Sequence, residues 1–141
     1  MKRQKLLERK RYTVTSQDIV NKWVIDEANS IGGPQIKRDE VRGFGLFAEK
    51  DYQPNEKITE YGGVLHNREV QGDYVAFVGD GVHIDGRIGF RLDEKGRWIN
   101  ESDSDRSVVN VKLGRDIRAL YEIKKGDQIF ADYGEEYIRN Y

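Results

Sequence analysis

The sequence predicts a mostly β fold with one amphipathic helix near the N-terminus and short helical turns. Three observations point there. A helical period of apolar residues occurs once, before residue 34, and disappears afterwards. From residue 35 onward, short alternating runs are cut by turn signals at brief intervals. Fifteen glycines stand against two prolines in 141 residues, a balance that suits many tight turns and short strands.

The chain divides into a basic arm plus helix over 1–34 and a β-rich domain over 35–141. Residues 1–11, MKRQKLLERKR, are rich in lysine and arginine. They read either as a solvated terminus or as an arm that contacts phosphates or an acidic protein surface. Thr15-Ser-Gln-Asp18 fits a capping box with aspartate in the acidic position. After it, Ile19, Val20, Trp23, Val24, Ala28 and Ile31 share one helical face, which predicts a helix packed on the domain. Gly32, Gly33 and Pro34 end it.

Strands are predicted over 35–41, 45–49, 57–61, 74–78, 82–85, 108–113, 116–121 and 128–132. The turns between them are Arg42-Gly43, Gln53-Pro54-Asn55, Gly79-Asp80-Gly81, Lys112 to Arg115 and Lys125-Gly126-Asp127. Gly79-Asp80-Gly81, lying between two alternating runs, predicts a hairpin.

Composition narrows the function. The 24 basic and 25 acidic residues leave no global footprint for nucleic acid. No apolar run approaches the roughly 18 residues needed to cross a bilayer, and no secretory signal opens the chain, so an intracellular protein is expected. With no cysteine, disulfides, cysteine-ligated zinc and thiol nucleophiles are excluded. His66 and His83 are the only histidines, too few for a histidine-rich metal site, and no metal is expected.

Three stretches stand out. Arg42-Gly43-Phe44-Gly45-Leu46-Phe47-Ala48 places two glycines around an aromatic, where a backbone can approach a ligand closely; alone, the pattern also marks a plain bend between strands. Arg97-Trp98-Ile99-Asn100-Glu101-Ser102 puts a polar asparagine after an apolar run, where its donor and acceptor both need partners. Lys124 to Gly134 leads through a basic-Gly-acidic turn into Ile129-Phe-Ala-Asp-Tyr133-Gly134. Glu60-Tyr61-Gly62-Gly63 closes an earlier strand. Either tyrosine, taken singly, reads as a strand or core residue with its hydroxyl at the surface.

In this order and spacing, the stretches resemble the SET domain of protein lysine methyltransferases, in its minimal, viral-type form. The resemblance implies a β-clip fold of several short curved sheets, S-adenosylmethionine as cofactor, and a protein lysine as acceptor. It places Gly43, Phe44 and Gly45 along the cofactor, with Tyr74 beside it. Arg97 to Ser102 is similar to the family's Arg-Phe-Ile-Asn-His-Ser, in which the asparagine holds the cofactor's amino end and the next residue meets the adenine through its backbone. Asn100 and Glu101 take those positions, with glutamate where histidine is usual. The family's second asparagine corresponds to Asn110, behind the insertion Asp103-Ser-Asp-Arg-Ser107. Tyr133 matches the active-site tyrosine, with Tyr61 as the second catalytic and channel residue. Ile99 is expected in the channel and Tyr137 as its lid.

Such chemistry needs a neutral amine, although a free lysine has a pKa of about 10.4. A narrow apolar channel beside a sulfonium charge disfavours the ammonium, so no strong general base is required. The resemblance further implies a lysine-bearing tail as substrate, a histone among the candidates, with a nuclear location on chromatin. Nucleosome contact is expected through residues 1–11, no membrane is involved, and a homodimer stands beside the monomer as an alternative. The competing reading is a catalytically inactive SET-like domain serving as a protein-interaction module, motivated by Glu101 and the displaced Asn110.

Overall fold

The computed structural model describes residues 18–67, 75–77, 81–86, 89–102 and 106–132. The arm 1–11, the start of the expected capping box, the insertion at 103–105, and Tyr74, Tyr133 and Tyr137 lie outside them. Among the described residues the protein is mostly strands in several small sheets with a single α-helix, a mostly β, SET-like fold.

Helix α1 runs Asp18–Ser30. It packs through Val24, Ile25 and Ala28, whereas Trp23, expected on the buried face, is 43% exposed. The buried stripe is rolled relative to the expected face, so that Ile25 is buried and Trp23, two residues before it, is turned outward. At its end Gly32 N donates to Asn29 O, and Gly32 and Gly33 both turn the chain with positive φ. Asn29 then reaches the first strand: its Nδ2 donates to Ile36 O at 2.9 Å and its Oδ1 accepts from Ile36 N at 2.8 Å. One side chain thereby satisfies both backbone groups of a buried strand residue.

Strands β1 (Gln35–Asp39) and β2 (Gly43–Phe47) form an antiparallel hairpin that pairs Gln35 with Phe47 and Asp39 with Gly43. β2 starts two residues before the expected strand because Asp39 caps the turn. Its Oδ1 accepts from Val41 N and Arg42 N, which brings Gly43 into register. A three-stranded antiparallel sheet follows, in the order β3 (Lys57–Glu60), β9 (Asp116–Ala119), β8 (Val111–Lys112). Another has the order β4 (Val64–His66), β6 (His83–Asp85), β5 (Val75–Phe77). β5 and β6 pair antiparallel as the hairpin signal predicts. β4 was not expected, since three residues between Gly63 and a polar run carry too little periodicity.

The last pair decides the site. β7 (Asn100–Glu101) and β10 (Phe130–Ala131) run parallel, matching Asn100 with Phe130 and Glu101 with Ala131. On its other side the segment before β10 meets β2, where Ile129 N donates to Leu46 O at 2.8 Å. The expected strand 108–113 is shorter than predicted: Arg106–Val108 forms a 3₁₀ turn, and only Val111–Lys112 pairs as β8. At Asn110 the chain leaves the β9 ladder for the last strand: its O still accepts from Leu120 N, while its N donates to Phe130 O and its side chain holds Gln128 O and Phe130 N.

Leu46, Ile84, Phe90, Leu92, Ile117, Ile123 and Ile129 fill the core. Each such side chain contributes about 1.5–3 kcal/mol by leaving water. The helix end is tied to that core by Lys95, whose side chain is 1% exposed. Its Nζ donates to Gly32 O at 2.6 Å and Pro34 O at 2.7 Å. Burial pushes its pKa down to about 8, with Glu49 and Asp93 opposing part of that shift.

Candidate functional site

The strand leading into Tyr133 alternates cleanly. Ile129 and Ala131 are fully buried, whereas Gln128, Phe130 and Asp132 lie on the opposite face and are partly buried. β2 flanks this segment on one side and β7 on the other, so the three stretches singled out in the sequence converge here.

Asn100 is the joint between them. Its Nδ2 donates to Phe44 O at 2.9 Å and to Gln128 Oε1 at 2.9 Å. A backbone carbonyl only accepts, so the nitrogen of the amide must face Phe44. Both amide hydrogens are then committed, which leaves Oδ1 as the group Asn100 can offer to a ligand. Gly45 allows this packing: a Cβ there would run into Gln128 Oε1 and sit 2.9 Å from Asn100 Nδ2. Gly43 has φ of 89° and open space where a Cβ would stand, so the hairpin turn needs glycine and its backbone can be approached.

Around this joint lies an aromatic and cationic rim. Phe44 is 39% exposed and meets Trp98 edge-on, with centroids 6.2 Å apart. Arg38 stands over Phe44 at 5.9 Å and Arg42 over Phe130 at 5.0 Å. Arg97 is buried between Trp98, 4.2 Å away, and Phe90, 4.9 Å away. Desolvated cation–π contacts of this kind are worth about 2 kcal/mol. They hold the 3₁₀ turn Gly96–Trp98 that delivers Ile99 and Asn100.

Tyr61 is 3% exposed and follows β3, with its N donating to Arg115 O at 2.9 Å. A Cβ on Gly96 would sit 2.7 Å from Tyr61 Cα, so the tyrosine segment packs directly on the turn that leads to Ile99. Tyr61 also lines a cavity of about 270 Å³ with Gly62, Val64, Leu65, Ile84 and Arg115. Ile99 is buried, and Glu101 is partly buried in the parallel pair with Ala131. Asn110, 8% exposed, grips the same strand from elsewhere: Nδ2 donates to Gln128 O at 2.9 Å and Oδ1 accepts from Phe130 N at 2.8 Å.

Thus Gly43, Phe44, Gly45 and Asn100 are brought together, and Tyr61 and Ile99 lie on the elements packed behind them. Two residues were missed. Gln128 and Asp39 enter the cluster through a hydrogen bond from Gln128 Nε2 to Asp39 Oδ2 at 2.8 Å. That bond, with those from Val41 N, Arg42 N and the Arg42 side chain, holds the Asp39 carboxyl well below the usual carboxylate range. The signal for Gln128 was its place on the same strand face as Phe130 and Asp132. Asp39 had only the appearance of a turn residue.

An amide acceptor, a glycine open to close approach and an aromatic rim thus lie together on one surface of the described residues. The SET-domain family model matches residues 43–134, about two thirds of the chain. A comparison with curated proteins finds no match. With the motifs in order, the small sheets around them and this match, the chain belongs to the SET-domain family.

Proposed function

We propose that this chain transfers a methyl group from S-adenosylmethionine to the side-chain amine of a protein lysine. Members of the family are generally lysine methyltransferases that use this cofactor. The observation that carries the reading for this chain is the Asn100 joint, with its donors on Phe44 O and Gln128 and no partner for its acceptor among the described residues. When bound, the cofactor supplies an electrophilic methyl group on a positively charged sulfur.

The chain's own residues supply position and exclusion of water. Asn100 Oδ1 would hold the cofactor's ammonium, while Gly43, Phe44 and Gly45 would lie along the rest of it. The backbone of Glu101 would face the adenine, and Tyr74 would stand beside the cofactor. The hydroxyl of Tyr133 would orient the lysine amine. Tyr61 and Ile99 would give the amine an apolar channel that favours its neutral form, and Tyr137 would cover the channel. Most of the rate would come from alignment, which is worth up to about 7–11 kcal/mol in well-oriented systems. The acceptor carried forward is a histone-tail lysine in the nucleus, with residues 1–11 on an acidic partner surface, all on family resemblance. Residues 35–141 form the proposed catalytic domain.

Titration calorimetry of S-adenosylmethionine into the wild type and Asn100→Ala tests the reading. One-to-one binding that the variant loses supports it, followed by methylation of histones that Tyr133→Phe abolishes. No binding at millimolar cofactor overturns it in favour of an interaction module, the reading that Glu101 in the usual histidine position favours.

A further inference from the structure

We propose that Gln128 and Asp39 are positioning residues for Asn100. Asp39 orients the Gln128 amide, and Gln128 orients the Asn100 amide, so that Asn100 presents a polarised Oδ1 to a ligand ammonium. The proposal rests on the reading of this site as a cofactor site and deepens it.

An amide side chain by itself does not specify which end faces a neighbour, because its oxygen and nitrogen occupy similar volumes. Here the choice is made at both ends of a chain of hydrogen bonds. At one end stands the Asp39 carboxylate, which only accepts, so Gln128 must present Nε2 to it at 2.8 Å. Gln128 Oε1 is thereby turned towards Asn100 and accepts from Nδ2 at 2.9 Å. At the other end stands the Phe44 carbonyl, which also only accepts and takes the second Nδ2 hydrogen at 2.9 Å. The direction of every bond is determined. Negative charge at Asp39 polarises two amides in series, and the outermost acceptor is Asn100 Oδ1.

Each member is itself held in place by further groups. Asp39 is held by Val41 N, Arg42 N and the Arg42 guanidinium, the last at 3.2 Å. The backbone of Gln128 is held by Asn110 Nδ2 on its carbonyl, and Ile129 N on Leu46 O fixes the next residue. The Gln128 side chain lies flat on Gly45, where a Cβ would sit 3.0 Å from its Cδ. A polar relay so well supported could serve only to tie the hairpin to the last strand. Its polarity separates the two roles, because a tether need not present an acceptor outward, whereas an ammonium site must.

The test uses calorimetry on the full chain with S-adenosylhomocysteine and its deaminated analogue, alongside thermal melting. The wild type is expected to prefer the amine-bearing ligand by about tenfold to a hundredfold, the range for a hydrogen bond to a charged group. Asp39→Asn removes the charge and frees the Gln128 amide to turn its nitrogen towards Asn100 Nδ2, whereas Gln128→Glu sets two carboxylates face to face and drives the new side chain off Asn100. Each is expected to reduce that preference to about threefold or less, with little change in affinity for the deaminated analogue. The double variant Asp39→Asn, Gln128→Glu exchanges acid and amide while keeping an acceptor towards Asn100, so it should restore the preference. This holds even if Gln128→Glu alone folds poorly. Single variants that melt normally and keep the wild-type preference would overturn the relay and leave a tether. A wild type that binds both ligands equally would overturn the ammonium assignment but keep cofactor binding. A wild type that binds neither would overturn the cofactor reading itself.

Discussion

Asparagine serves two different purposes in this molecule. Asn29 and Asn110 each use both ends of the amide on the backbone of a strand. Asn29 takes the N and O of Ile36, and Asn110 takes Phe130 N and Gln128 O. Asn100 stands on the other side of the same C-terminal segment and uses only its donors, on Phe44 O and Gln128 Oε1. The first two close the fold by pairing part-buried backbone groups of a strand. The third is committed at one end and keeps an acceptor for a ligand. A buried amide whose two ends both meet backbone is a structural residue. One whose donors alone are committed is free to serve the binding role proposed for Asn100.

The largest expected effect on stability is at Asn110. Asn110→Ala removes the partners of two shielded backbone groups and is expected to destabilise by about 2–5 kcal/mol, out of a total of about 5–15 for a domain. Urea denaturation reads it directly. A loss below about 1 kcal/mol would mean that water reaches these groups and would blur the contrast with Asn100.

Lys95 extends the structural class to a charged side chain, and its signature is pH. Its folded pKa is depressed to about 8, against 10.5 for the free group. Between those values the unfolded chain holds a proton that the folded protein lacks, so stability rises with pH across this window. Below about 8 both states are protonated and the cost of burying the charge is fully present. Wild type minus Lys95→Met should therefore gain on the order of 3 kcal/mol between pH 8 and 10.5. Lys50, Lys57 and Lys124, whose acidic partners raise their pKa, lose stability above the same window, but they cancel in this difference. A flat difference would show that the Lys95 ammonium is as well solvated folded as unfolded.

Gly45→Ala sharpens the comparison from the other side. The new methyl group meets the ends of Gln128 and Asn100 rather than backbone, so these side chains can yield at about 1–2 kcal/mol. Cofactor affinity should nevertheless fall at least about tenfold, because the Asn100 amide proposed to hold the ammonium, and the Gln128 amide that orients it, are the groups that move. The smallest stability effect belongs to Asn100→Ala, expected below about 1.5 kcal/mol in the same urea assay. Its cofactor affinity should fall about tenfold to a hundredfold. If Asn100→Ala instead destabilises as much as Asn110→Ala, the two asparagines are of one kind and the distinction fails.

Much of the architecture was legible locally. The end of α1 follows from Gly32-Gly33-Pro34, since glycine alone takes positive φ cheaply, and both glycines do so. The hairpin of β5 and β6 and the turn at Lys125-Gly126-Asp127, where Asp127 N donates to Lys124 O, follow from turn chemistry in the same way. Trp23 shows where this stops. Periodicity identifies a helical face to within one residue, and only packing decides which side of the stripe is covered.

The sequence by itself determined the mostly β class, the helix near the N-terminus, and the glycines of the helix end and the first hairpin. Each depends on a residue's own conformational limits or on neighbours within a few positions. Only the tertiary structure decided that β7 lies parallel to β10 across 30 residues, and that Asn110 leaves its own strand to grip another. Only there does Asp39 in a hairpin turn meet Gln128 in the last strand. These are hydrogen bonds between segments far apart in the chain, and their direction depends on which neighbours can only accept. No local pattern carries that information.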